Sequence, residues 1–282
     1  MNNYILCITC PDKKGIIASV ANFLSKHNCN IIETSQFGDK NTNMFFMRTI
    51  FETQNNEQII QEITENIKDL ALEFSMKWEI HPENKKTRTL ILVSKTDHCL
   101  NDILYKYKTN HLPIEITAIA SNHQNNQHLS ESNNIRYEHL PITPDTKIKQ
   151  ENKIRELIKE TNSELIIMAR YMQILSDELS NEFYGRIINI HHSFLPGFKG
   201  AKPYHQAYNR GVKLTGATAH FATADLDEGP IIEQEIARTN HTHTPEEMQV
   251  IGRDTEAKVL SRAINYYAER RIFLNQHKTV IL

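Results

Sequence analysis

Ile187-Ile188-Asn189-Ile190-His191-His192-Ser193-Phe194-Leu195-Pro196-Gly197 is the stretch on which the fold turns. Ile187 to Ile190 is a short β-branched run and reads as a buried strand. It ends in polar residues and a Pro-Gly turn. Side chains two apart on a strand face the same side, so Asn189 and His191 point together. Open α/β sheets take their ligands beyond the carboxyl ends of strands. An amide and an imidazole side by side both donate hydrogen bonds and suit an oxyanion. Spacing alone favours a plainer reading, a satisfied polar strand end.

Working outward, the same rhythm repeats. Leu90 to Ser94, Ile114 to Ala120, Leu165 to Ala169, Thr215 to Ala222 and Ile231 to Ala237 read as strands. Between them lie helical patterns at Leu100 to Tyr107 and Lys147 to Glu160, and Glu246 to Arg271 reads as a long terminal helix. Asn122 to Asn134 is polar, a loop or an exposed helix. Alternating strands and helices predict a mainly parallel sheet, a Rossmann-like α/β unit. Upstream, His81-Pro82-Glu83-Asn84-Lys85-Lys86 is a polar, Pro-bearing break. It divides the chain into residues 1–84 and 85–282. The first part reads strand, helix, strand, strand, helix, strand, with its last strand at Phe74 to Ile80. This is a βαββαβ, ferredoxin-like order. A chain of 282 residues fits two such domains.

Lys and Arg total 32 against 34 Asp and Glu. That balance argues against a nucleic-acid binder, which would carry a basic excess or stripe. No apolar run approaches the roughly 20 residues of a membrane span, and the amino terminus lacks a signal-peptide pattern. The 4 cysteines form no dense disulfide framework. A cytoplasmic protein is the expectation.

The chain has only 9 glycines, and none lies between Gly38 and Gly185. A glycine-rich phosphate cradle is therefore excluded from the middle of the chain. The later glycines surround a second polar cluster, His220-Phe221-Ala222-Thr223-Ala224-Asp225-Leu226-Asp227-Glu228-Gly229-Pro230. Asp225 or Asp227 can supply a carboxylate to pair with His191. A solvated acidic turn before Gly-Pro is the alternative reading.

These two segments together resemble the signature of formyltransferases that use 10-formyltetrahydrofolate. The family's Asn, His and Asp fall on Asn189, His191 and Asp227. Ala169-Arg170-Tyr171-Met172-Gln173-Ile174-Leu175-Ser176 resembles the segment that packs on the folate's pterin. The resemblance implies Arg170, Tyr171, Met172, Ile174 and Leu175, with Ala222 and Asp225, as substrate-binding residues. It implies no metal and no separate cofactor, since the folate is the substrate. Residues 3 to about 81 resemble an ACT domain, a regulatory module that often binds amino acids. The two domains in this order resemble the formyltetrahydrofolate deformylase family, as do His191-His192, Pro203-Tyr204-His205-Gln206-Ala207-Tyr208 and Arg253-Asp254-Thr255-Glu256.

That resemblance implies hydrolysis of 10-formyltetrahydrofolate to formate and tetrahydrofolate, linked to purine synthesis and the one-carbon folate pool. Asp227, paired with His191, would orient and deprotonate water, and Asn189 with protonated His191 would hold the oxyanion. The sequence leaves open whether Asp227 is base, shuttle or modulator of His191. The alternative is a formyltransferase with an amine acceptor such as glycinamide ribonucleotide. That relative resembles a phosphate binder at its first strand–helix turn. Here the turn is Ser94-Lys95-Thr96-Asp97-His98-Cys99-Leu100, without glycine. Asp97 near a helix N-terminus favours capping and repels phosphate, and Lys95 is one opposing charge.

In the ACT-like part, the turn Asp12 to Gly15 opens a helix whose free amides suit an amino acid's carboxylate. Methionine and glycine are the effectors the family implies. A purely structural pairing of edge strands is the other reading, and either makes a homo-oligomer, dimer or tetramer, the expectation. Cys7-x-x-Cys10 lies on a strand, where residues three apart face opposite sides, so it reads as no metal site. His241-Thr242-His243 sits in a polar loop and is set aside as chance.

Overall fold

The structure is a computed structural model that describes residues 2–54, 57–197 and 203–282. Lys86–Ala268 forms one compact unit, and the segments on either side of it form the other.

In the first, β1 (Asn2–Pro11), α1 (Ile16–Lys26), β2 (Asn30–Asp39), β3 (Met44–Thr53), α2 (Glu57–Phe74) and β4 (Lys77–Pro82) follow in βαββαβ order. The sheet runs β2-β3-β1-β4 and its pairings are antiparallel. Ile16, Val20 and Leu24 on α1 and Ile63, Ile67 and Ala71 on α2 recur at helical spacing. They close over Leu6, Ile8, Met47 and Phe51, one face of the sheet. Phe74 ends α2 instead of opening a strand. Ser75 turns left-handed (φ 54°), and the Met76 amide bonds back to the Ala71 carbonyl. β4 therefore starts at Lys77.

The second unit contains β5 (Thr87–Val93), α3 (His98–Lys108), β6 (Ile114–Ser121), α4 (Gln127–Glu131), β7 (Tyr137–His139), α5 (Lys147–Glu160), β8 (Leu165–Ala169), α6 (Asp177–Glu182), β9 (Ile187–His191), α7 (Pro203–Arg210), β10 (Leu214–Phe221), β11 (Ile231–Arg238) and α8 (Pro245–Ala268). Its seven strands order β11-β10-β9-β8-β5-β6-β7. β5 to β9 are parallel, and β10 is antiparallel to both neighbours. β8, Leu165 to Ala169, is buried at every residue, as a central parallel strand covered on both faces must be. The chain builds outward from β5 to β7, then returns to the other side of β5 with β8. This reversal opens a crevice beyond the carboxyl ends of β5 and β8.

The terminal helix was expected to run to Arg271 within a second domain ending at residue 282. α8 instead stops at Ala268, and Arg270 takes a left-handed turn (φ 58°). A hairpin follows, β12 (Ile272–Asn275) and β13 (Lys278–Ile281), and it belongs with the first unit. The contacts explain this grouping. Phe273 packs edge-on against Phe46, Arg48 Nε donates to the Glu269 carbonyl, and Asn275 Nδ2 donates to Asp39 Oδ2 at 2.6 Å. The Cys7 thiol meets the Arg270 carbonyl, while Cys10 lies in the helix-side core, so the two face opposite sides as expected. All four cysteines are free, and burial pushes Cys7 up to about 12 and Cys10 up to about 11.

Candidate active site

Asn189 pairs directly with His220 across β9 and β10. Cross-strand partners share a face, as do residues two apart on one strand. Asn189, His191 and His220 therefore project together at the end of the sheet. Asn189 Nδ2 lies 3.2 Å from His220 Nε2, and His220 Nδ1 lies 2.9 Å from the Phe221 carbonyl. The contact with the Phe221 carbonyl fixes the His220 ring with its Nε2 edge toward Asn189.

Asp227 reaches this group from the acidic turn after β10. Its Oδ1 is 3.1 Å from His191 Nδ1 and 3.6 Å from His220 Nε2. Burial pushes the Asp227 carboxyl up, but hydrogen bonds and positive potential from His191 and then His220 outweigh it. The carboxyl is held well below the ordinary range. Two backbone features place it. Gly229 is pressed so closely on the Phe221 carbonyl that a Cβ there would overlap it. Asp227 itself stands in the left-handed region (φ 58°), a strain of about 1–2 kcal/mol for a non-glycine residue. His191 Nε2 is buried and has no hydrogen-bond partner among the described residues. A buried imidazole with one nitrogen fixed by a carboxylate and the other unfilled is poised to meet a ligand atom.

The loop after β9 is pinned from β10 and β11. Thr218 Oγ1 donates to the Ser193 carbonyl and accepts from the Leu195 amide, and Gln234 Nε2 donates to the Leu195 carbonyl. Burial, then Arg170 and His191, push the next imidazole, His192, down to about 4.

At the crevice the segment Arg170–Ser176 is fixed at both ends. The Met172 amide donates to Ser94 Oγ at the tip of β5, and Ser94 Oγ donates to Asn122 Oδ1 at 2.8 Å. The Ser176 amide and hydroxyl bond Glu151 on α5. Met172 and Ile174 are left exposed, at 58% and 60%, and form the apolar rim. Tyr171 and Leu175 turn inward instead, at 5% and 8%. Helical and strand cores fill from such loops, and Tyr171 also bonds Gln150. Arg170 turns away as well, into a buried network. Its Nε lies 3.3 Å from Glu256 Oε2, an ion pair whose angle is too poor for a hydrogen bond. His98 Nε2 is 2.8 Å from the same oxygen, and the Tyr204 hydroxyl donates to Oε1 at 2.7 Å. Burial pushes Glu256 up, but His98, Arg170 and Tyr204 together hold it below the ordinary range. Ala222 packs on the core, and Asp225 keeps an exposed carboxylate while its carbonyl accepts from Thr223 Oγ1.

A family model described as formyl transferase matches residues 87–264, and one described as ACT domain matches residues 4–68. A formyltetrahydrofolate deformylase of Corynebacterium sp. (strain P-1) is 43% identical over 99% of this chain and 98% of its own. The chain belongs to the formyltetrahydrofolate deformylases. The crystal structure of the Burkholderia mallei formyltetrahydrofolate deformylase is 44% identical, with a TM-score of 0.96 and full coverage of both chains. The glycinamide ribonucleotide transformylase 1 of Symbiobacterium toebii is 26% identical, with a TM-score of 0.67 over 72% of this chain and 97% of that one. The fold expected from the sequence, an ACT domain and a mainly parallel formyltransferase-type sheet, is the one observed.

Within this deformylase chain the structure brings Asn189, His191 and Asp227 together and adds His220, which sequence reasoning quoted without giving it a role. The signal that finds it is strand register: opposite Asn189, it faces the same way. Asp97 is the N-cap residue of α3, but its carboxylate accepts from Asn101 Nδ2 one turn on and makes no capping bond. His98 Nε2, Cys99 Sγ and a Glu256 oxygen lie within 4.8 Å of one another, donor types that metals use. Arg170 and Tyr204 already engage that carboxylate, so an added cation would face a fixed guanidinium. Gly15 is the left-handed N-cap residue of α1 (φ 98°), and the exposed Asp12 has its amide on the Asn43 carbonyl.

Proposed function

We propose that the chain hydrolyses the N10-formyl group of 10-formyltetrahydrofolate, releasing formate and tetrahydrofolate. The observation that carries this is the Asn189–His220–Asp227–His191 cluster, with His191 Nε2 buried and unfilled among the described residues. The formyl carbon sits beside that nitrogen, and the Asn189 amide and protonated His191 hold the oxyanion as water adds. The water's proton passes to the Asp227–His191 pair. The C–N10 bond then breaks, N10 takes a proton from the same pair, and formate leaves. Met172 and Ile174 offer apolar surface to the pterin, with Ala222 and Asp225 alongside. Tyr171 and Leu175 serve by shaping that loop from inside, and Arg170 by bracing its start.

Water as acceptor is supported at the first strand–helix turn. Ser94 to Leu100 holds no glycine, Asp97 is exposed there, and full-length similarity runs to deformylases while the transformylase match covers 72% of this chain at 26% identity. Formate would feed purine synthesis, and hydrolysis would return tetrahydrofolate to the one-carbon pool. No described helix is long and apolar enough to cross a membrane, and we place the protein in the cytoplasm as a homo-oligomer. The ACT domain would bind an amino-acid effector, methionine or glycine, at Asp12 and Gly15.

Purified protein mixed with 10-formyltetrahydrofolate and no acceptor should release tetrahydrofolate and formate in equal amounts. Turnover only after glycinamide ribonucleotide is added would replace hydrolysis by transfer.

A further inference from the structure

Helix α8 carries a glycine, Gly252, on its buried side. A glycine inside a helix weakens it, so its presence asks for a local reason. A Cβ at this position would overlap the ring and hydroxyl of Tyr204. The helix surface there is a seat for one aromatic side chain. Tyr204, near the start of α7, is 8% exposed and its hydroxyl is tied to Glu256, one turn beyond the seat on α8. The phenol is thus held along its edge by a helix backbone and at its tip by a buried carboxylate. Its apolar company is small, Ala207 and Met248 with Val212 beside them.

What the fixed ring faces is chemical. The His192 ring lies 6.3 Å from it, centre to centre, and His192 in turn lies 4.9 Å from His191 at 30° between planes. His191 is the imidazole whose far nitrogen is buried without a hydrogen-bond partner among the described residues. A phenol, a second imidazole and the reacting imidazole therefore stand in sequence, anchored at the α8 end. We infer that Tyr204, seated on Gly252 and tied to Glu256, is a positioning residue that acts through His192 to fix His191 for proton transfer. This rests on the hydrolytic reading above. The charged groups that bear on His192 are Arg170, His191, Glu256 and Asp227. Burial, Arg170 and His191 lower its proton affinity, while Glu256 and Asp227 raise it. A neutral His192 can back His191 without repelling it when His191 takes up a proton.

The test compares wild type, Tyr204→Phe and Gly252→Ala in the full chain. Phe keeps the ring and loses the tie to Glu256, while Ala forces the ring off its seat and strengthens the helix. Hydrolysis of 10-formyltetrahydrofolate should show kcat falling roughly tenfold in the first and on the order of a hundredfold in the second, with KM within about twofold. Nitrogen-15 NMR of the imidazoles, which needs no substrate, should find His192 titrating near 4 in wild type. In Gly252→Ala it should move up toward the ordinary value of about 6.5 as water reaches the ring. Unchanged kcat and an unchanged His192 midpoint in Gly252→Ala would overturn the inference, as would activity lost only in proportion to unfolded protein. Should wild type hydrolyse nothing, the proposed function fails, and the His192 midpoint still decides whether Tyr204 positions the imidazole.

Discussion

Asp227 and Glu256 are both carboxylates withdrawn from water and ringed by nitrogen donors, with side chains 11% and 1% exposed. Their neighbours differ in one respect. Glu256 has Arg170 and His98 on one oxygen and Tyr204 on the other, a permanent cation among them. Asp227 has two imidazoles, groups able both to accept and to donate a proton, and one of these keeps a buried nitrogen without a hydrogen-bond partner among the described residues. The difference separates a carboxylate that braces from one that exchanges protons. Burial and hydrogen-bond count alone would not tell them apart.

The sharpest way to break this contrast is Asp227→Asn. It should lower kcat on the order of 10³-fold while circular dichroism stays that of wild type. A loss below tenfold would move the proton chemistry off this residue. Glu256→Gln should act on stability instead, lowering the unfolding free energy in urea by about 3 kcal/mol, because Arg170 is left buried without its counter-charge. A stability equal to wild type would erase the bracing role.

Acidification gives a third separation. His192 binds its proton near 4 in the folded chain and near 6.5 when unfolded, so between these values the unfolded state holds more protons. Stability should therefore fall as pH drops from about 6.5 to 4, by about 3 kcal/mol. Asp227 is held low in the fold, so its contribution is intact above the ordinary carboxylate range, about 3.9, and is lost only below it. His192→Gln should flatten the upper window and leave the lower one, as followed by urea unfolding across pH. The smallest effect belongs to a residue in neither cluster. Met172→Ala removes exposed rim surface worth about 1 kcal/mol, so KM should rise roughly fivefold with kcat unchanged.

The alternation of strands and helices was legible because β8 and β9 are near-continuous apolar runs and α5 carries a helical stripe. Asn189 and His191 were legible because a strand's two-residue period is local. What was lost depends on distance along the chain. His220 joins them by antiparallel register, and Arg170 meets Glu256 86 residues later, so neither is written in spacing. The terminal hairpin was missed because two four-residue strands leave too short a period to read after a 24-residue helix. α6 does carry a local start signal in its sequence: Ser176 caps it through the Leu179 amide, with Asp177 and Glu178 in the first turn.

The Ser94 hydroxyl joins Met172 on one side and Asn122 on the other, and Glu151 closes the far end of the same loop. A surface shaped in advance surrenders little conformational freedom when a ligand arrives. Association should then be governed by encounter more than by rearrangement, and Ser94→Ala should appear as slower capture of folate with a less favourable binding entropy.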